Sequence, residues 1–173
     1  MIQNNLYSVL ENWYNNVFVK LKFSKIKTDN NLTHQKIPKY NIAKTTINDG
    51  HIGLYGWKHI IQQTKTIVED IIQDQVIPNM QLIYYPKNGY MNWHTNSDNP
   101  STRIYLVKAE QNPLSEMRFE NKIIKDNPLW SFNIFKIEDK TWHCVNALTP
   151  RLSLGFHYQG NKTIKELKEL LNA

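Results

Sequence analysis

The sequence predicts an α+β protein that is mainly β, a sandwich or jelly roll supported by helices. Three observations predict it. Two stretches in the first 79 residues carry apolar residues at three- and four-residue spacing, the mark of amphipathic helices. From residue 80 to 158 the texture changes to eight short β-rich runs divided by turn residues. A capping-box signature then opens a last helix. No repeat and no linker is visible. The 173 residues therefore read as one domain, with a helical support layer over 1–79, a β core over 80–158 and a C-terminal helix over 159–173. A chain of this length buries roughly two-thirds of its unfolded surface in a single core.

In chain order, Leu6, Val9, Leu10, Trp13, Tyr14 and Val17 predict a helix over about residues 3 to 19. Residues 20 to 53 are polar and punctuated by Pro38, Gly50 and Gly53, so loop with one or two short strands is expected. Ile60, Ile61, Ile67, Val68, Ile71 and Ile72 form one stripe of a helix over 57 to 76, which Pro78 should end. The expected strands are 81–85, 90–95, 102–108, 117–119, 122–125, 130–136, 142–145 and 152–158. Thr163 with Glu166 starts the final helix.

Composition narrows the function classes. Cys144 is the only cysteine, which excludes an internal disulfide and a cysteine zinc cluster and suits a reducing, cytoplasmic setting. No window approaches the ~20 apolar residues of a membrane helix, and no leader is expected. The net charge of +6 is spread mostly over lysines without a block, the pattern of a solvated surface, and gives only weak support to nucleic-acid binding. Lys108 reads as one of these solvated positions. Arginine occurs only at 103, 118 and 151, so each marks a place where a planar fork is wanted.

The chemistry must come from the β region. In a strand, His94 and Asn96 point to one face, so an imidazole and an amide could meet one ion. His143 lies in another strand about fifty residues on, and a facial iron site needs two histidines and a carboxylate. Arg151 begins the next strand with Ser153 on the same face, a guanidinium and hydroxyl suited to a buried carboxylate. Isolated His34, His51 and His59 read as surface residues. Trp93 and Trp142 read as core or pocket wall, and Cys144 as a small buried hydrophobe facing away from His143. Arg103 either enters the pocket or pairs with Glu110 or Glu116.

The order Tyr85, Gly89, His94-Thr95-Asn96, Arg103-Ile104-Tyr105-Leu106, Trp142-His143-Cys144-Val145 and Arg151-Leu152-Ser153 resembles the 2-oxoglutarate- and Fe(II)-dependent oxygenase family. It is most similar to small oxygenase-like proteins of bacterial viruses, over about residues 80 to 158. The resemblance implies a double-stranded β-helix, the cupin-like jelly roll, with helices on its larger sheet. It implies Fe(II) on His94 and His143, the far carboxylate of 2-oxoglutarate on Arg151, and help from Ser153 or Tyr85; Arg103, if it enters the pocket, is a further candidate for cofactor binding. The family's usual third ligand is an aspartate or glutamate where this chain has Asn96. Three readings stay open: Asn96 ligates weakly or yields its place to water or halide, Asp98 swings in, or the site is degenerate. Two functions follow, a hydroxylase whose prime substrate is a protein side chain, nucleobase or small metabolite, or a cupin-like binding or virion-associated module without turnover.

Overall fold

The computed structural model describes residues 2–21, 51–54, 57–96, 99–111, 114–138 and 141–172. Their elements are α1 (Ile2–Asn16), a 3-10 turn (Phe18–Lys20), β1 (Ile52–Leu54), α2 (Lys58–Ile72), β2 (Ile77–Tyr85) and β3 (Gly89–His94). There follow β4 (Ser101–Ala109), β5 (Ser115–Phe119), β6 (Ile123–Lys125), β7 (Ser131–Ile137), β8 (His143–Ala147), β9 (Arg151–Tyr158) and α3 (Ile164–Leu171). The strands form two antiparallel sheets, β1-β2-β9-β4-β7 and β3-β8-β5-β6, which is the double-stranded β-helix.

Strand alternation decides what each face of the larger sheet meets. Even-numbered residues of β4 and β9, among them Ile104, Leu106, Leu152, Leu154 and Phe156, pack against Leu6, Leu10 and Trp13 of α1, the isoleucine stripe of α2, and Leu167 and Leu171 of α3. Each fully buried aliphatic side chain there contributes about 1.5–3 kcal/mol. That contact holds α1 in place, since the helix has no acidic residue in its first turn and no basic residue in its last. Odd-numbered residues face the other way, into the barrel, where Tyr85, Met117, Phe135, Ile137, Val145 and Ala147 form a second cluster.

Three expectations need correction. The second helix ends at Ile72, not 76, because Gln73 takes a left-handed conformation (φ 52°). Pro78 consequently lies inside β2, opposite Phe156. β1 covers only Leu82 to Tyr84, so the proline sits where the sheet has a local edge and its missing N–H goes unneeded. Lys108 is not a solvated lysine. It binds Glu11 of α1 at 3.0 Å and lies 5.0 Å from the Tyr14 ring centre, joining β4 to α1. The capping box at Thr163 and Glu166 forms with both of its hydrogen bonds.

Gly155 of β9 faces inward opposite Tyr105. A Cβ there would stand 2.4 Å from Asn79 Nδ2 and 2.5 Å from Tyr105 Cε1. The glycine gives these two side chains their room. Gly155→Ala should lower stability by about 1–3 kcal/mol, the usual cost of overpacking. Urea unfolding measures it, and an unchanged midpoint would contradict the packing.

Candidate functional site

The histidines lie at one mouth of the barrel. β3 and β8 are neighbours, and His94 and His143 are register partners with ring centres 4.2 Å apart. A register shift between Met91 and His94 makes this possible, by placing three steps of β3 against two of β8. His94 Nδ1 lies 2.7 Å from the Asn92 carbonyl and His143 Nδ1 3.0 Å from that of Thr141. Each Nδ1–H donating to a carbonyl puts the lone pair on Nε2, the arrangement that backbone carbonyls give to metal-binding imidazoles. His143 is 3 % exposed and Phe119 stacks on it at 5.8 Å. Burial, with His94 and Arg103 nearby, pushes its pKa down to about 3 against the Thr141 bond, so it stays neutral.

Asn96 reaches His143 with its amide nitrogen. Nδ2 is 3.1 Å from His143 Nε2 and donates to its lone pair. Asp98 lies outside the described residues. Among the described residues no group of three His, Cys, Asp or Glu gathers around one point.

The opposite end of the interior is built on Arg151. Its side chain is 1 % exposed, its Nε donates to Asp126 Oδ2 at 2.7 Å, and its guanidinium carbon is 5.1 Å from the Tyr85 ring centre. Asp126 also accepts from Ser115 Oγ at 2.5 Å and Asn133 Nδ2 at 2.8 Å. Burial pulls the Arg151 pKa down, and Asp126 with Tyr85 and Tyr105 more than offsets it. Nη2 is buried with no partner. Ser153 is buried two residues on, at the next inward position. The sequence reading missed Asp126, Ser115 and Asn133. Asp126 precedes Asn127 and Pro128 and looks like a turn residue; the available signal was that a buried arginine needs a counter-charge.

Arg103 pairs with neither Glu110 nor Glu116. Its Nη1 contacts both ring nitrogens of His157, Nε2 at 2.6 Å, and its Nη2 donates to the Asn99 carbonyl at 2.7 Å. Glu116 instead meets Lys125, Arg118 and Asn146 outside the barrel. His157 was also missed, although it shares strand parity with Arg151 and Ser153. Cys144 is fully buried and its thiol is pushed up to about 12 by that burial, the state of an inert packing residue. Trp93 is buried. Trp142 lines a groove of about 370 Å³ beside the mouth with Phe119, Lys122 and Thr141. His51 is not free surface: its Nδ1 is 3.4 Å from the Tyr90 carbonyl and its ring packs beside Tyr85. His59 is exposed, and His34 lies outside the described residues.

No protein-family model matches the chain, and no curated protein does. Solved structures do. A prolyl hydroxylase from Trichoplax adhaerens, bound to a hypoxia inducible factor peptide fragment, matches 88% of this chain and 78% of its own at 14% identity and TM-score 0.50. A cupin-2 domain protein from Shewanella frigidimarina matches 46% of this chain and 68% of its own at 13% identity and TM-score 0.33. At 14% identity the likeness to the prolyl hydroxylase structure concerns the fold alone, a mainly β jelly roll with a few helices. No helix of the described residues is long and apolar enough to cross a membrane.

Two outcomes test this geometry. Asp126→Ala should destabilise the protein by about 3–5 kcal/mol, because it leaves the Arg151 charge buried without its partner. A loss below 1 kcal/mol, roughly that of a surface pair, would contradict the burial. The second concerns pH. A histidine whose folded pKa is depressed contributes its stability above the unfolded value of 6.5 and loses it as pH falls toward about 3. Metal-free protein should therefore lose about 2 kcal/mol between pH ~7.5 and ~5, where carboxylates still titrate little. His143→Gln should flatten that slope; equal slopes would contradict the buried neutral imidazole.

Proposed function

We propose that this chain is a 2-oxoglutarate- and Fe(II)-dependent oxygenase of the hydroxylase type. The observation that carries the reading is the pair of facing histidines, both anchored through Nδ1 to backbone carbonyls. Their donor chemistry fits a divalent metal, since neutral imidazole suits iron and the carbonyls fix the tautomer. Asn96 completes the set without charge. Turning its amide by half a rotation replaces Nδ2 with Oδ1 and exchanges a donor on His143 for a neutral ligand. Giving up the Asn96–His143 bond costs about 1 kcal/mol, which a carboxylate at this position would not require.

Arg151 fits a carboxylate through its buried, unpartnered Nη2, with Tyr85 and Ser153 beside it. The distal carboxylate of 2-oxoglutarate would share the guanidinium with Asp126. When bound, iron and 2-oxoglutarate supply the oxidation of a substrate C–H bond. The chain's own residues orient them. His94 and His143 would hold the metal, Arg151 would hold the acid, and the buried Met117, Phe135 and Val145, with half-buried Tyr105 against them, keep water out. The fold shared with a prolyl hydroxylase structure agrees with this reading.

A second reading has its own support. Asn96 already covers the lone pair of His143, and Asp126 already neutralises Arg151, as in a cupin-like shell that binds without turnover. Anaerobic Fe(II) titration separates the two. Wild type should bind iron, His143→Ala should abolish binding, and Asn96→Asp should tighten it by restoring a negative ligand. Equal curves for wild type and His143→Ala would remove the metal site. Calorimetry with Mn(II) should then show 2-oxoglutarate binding at millimolar concentration. Iron binding with no 2-oxoglutarate heat would favour the shell.

A further inference from the structure

The barrel interior holds a second buried cation, Arg103, whose charge no carboxylate among the described residues meets. Of the three arginines, Arg151 faces Asp126 and Arg118 lies 3.4 Å from Glu116, whereas Arg103 has no carboxylate partner among the described residues. It is 3 % exposed, its contacts are an imidazole and a carbonyl, and its Nε has no partner. An uncompensated buried guanidinium costs several kcal/mol, and arginine cannot escape by losing its proton.

The surroundings hold the fork in place and leave that charge standing. His157 Nε2 lies 2.6 Å from Asn79 Oδ1 and donates to it, so Nδ1 carries the lone pair that faces Arg103. Ser101 Oγ and Asn99 Nδ2 lie 3.4 and 3.3 Å from the same nitrogen. Among the described residues the partners of Arg103 are an imidazole and a backbone carbonyl, and none is a carboxylate. The position is also the right one: Arg103 is inward-facing on β4 opposite Phe135, whose ring packs on Phe119, which in turn stacks on His143.

We propose that Arg103 anchors a carboxylate-class anionic group on the molecule whose C–H bond meets the histidine pair. Calling that molecule a substrate rests on the oxygenase reading; the anion site itself does not. A carboxylate there would take the unpartnered Nε–H in a charge-assisted bond and supply the missing counter-charge. This selects an acidic metabolite or an acidic side chain over a neutral nucleobase as the prime substrate.

Three arginines give three side-chain Nε–H signals, which makes the test direct. In metal-free protein with 15N-labelled arginine, signals assigned by R103K and R118K are followed against acetate, with chloride at equal ionic strength as control. The Arg103 signal should shift saturably with millimolar acetate while Arg118 stays still, and R103Q should weaken acetate binding about tenfold or more. No saturable shift, or an equal response to chloride, an adventitious ion only, overturns the site. The second arm adds Zn(II) and saturating 2-oxoglutarate. Acetate that still seats at Arg103 supports a carboxylate of the prime substrate; acetate displaced by 2-oxoglutarate overturns that assignment and gives Arg103 to the co-substrate. Loss of iron binding with the acetate response intact would remove the oxygenase reading alone.

Discussion

The buried pair of Arg151 and Asp126 is the constraint on which the rest of the barrel depends. Arg151 is the first residue of β9, in the larger sheet, and Asp126 follows β6, in the smaller one. Ser115 of β5 and Asn133 of β7 complete the carboxylate's partners, again one from each sheet. One charge pair therefore pins the two layers together at their base. Replacing such a pair by apolar residues can be nearly neutral, but breaking it is costly, so it fixes the arrangement of the sheets more than it adds to total stability. It also sets what the interior can bind. Asp126 takes the Nε of Arg151 and leaves its Nη2 buried without a partner.

At the mouth the same economy recurs with neutral groups. Asn96 gives the metal-free His143 a donor that an aspartate could not, so the neutral histidine stays satisfied without a metal. An aspartate at this position would leave an anion facing a lone pair. Between the mouth and the base lies an aromatic and sulfur-rich waist, Tyr105, Met117, Phe119 and Phe135. Excluding water there strengthens the electrostatics at either end.

Much of this was readable from residue patterns, and the gaps have physical causes. The helical stripes, the run of short strands and the capping box at Thr163 come from local periodicity, and they appear with ends shifted by a few residues. His94 and His143 meet through the register shift in β3, and Asn96, just past the end of that strand, reaches His143. The helix end at Gln73 was hidden because a left-handed residue needs no glycine, and Pro78 looked like the stop signal. The bulge in β3 leaves no trace in composition. Asp126 and His157 were missed for a different reason. Their roles depend on partners 25 and 54 residues away in the chain; nothing local marks Asp126, and strand parity places His157 on the inner face without naming its partner.

The most direct test of the central claim is an anomalous difference map from crystals grown anaerobically with Mn(II) and 2-oxoglutarate. The expected result is a manganese peak within bonding distance of Nε2 of both His94 and His143, the Asn96 amide turned to present Oδ1, and a carboxylate on Arg151 beside Asp126. A map with no peak between the histidines, with Asn96 Nδ2 still on His143 and Arg151 bound to Asp126 alone, would contradict it.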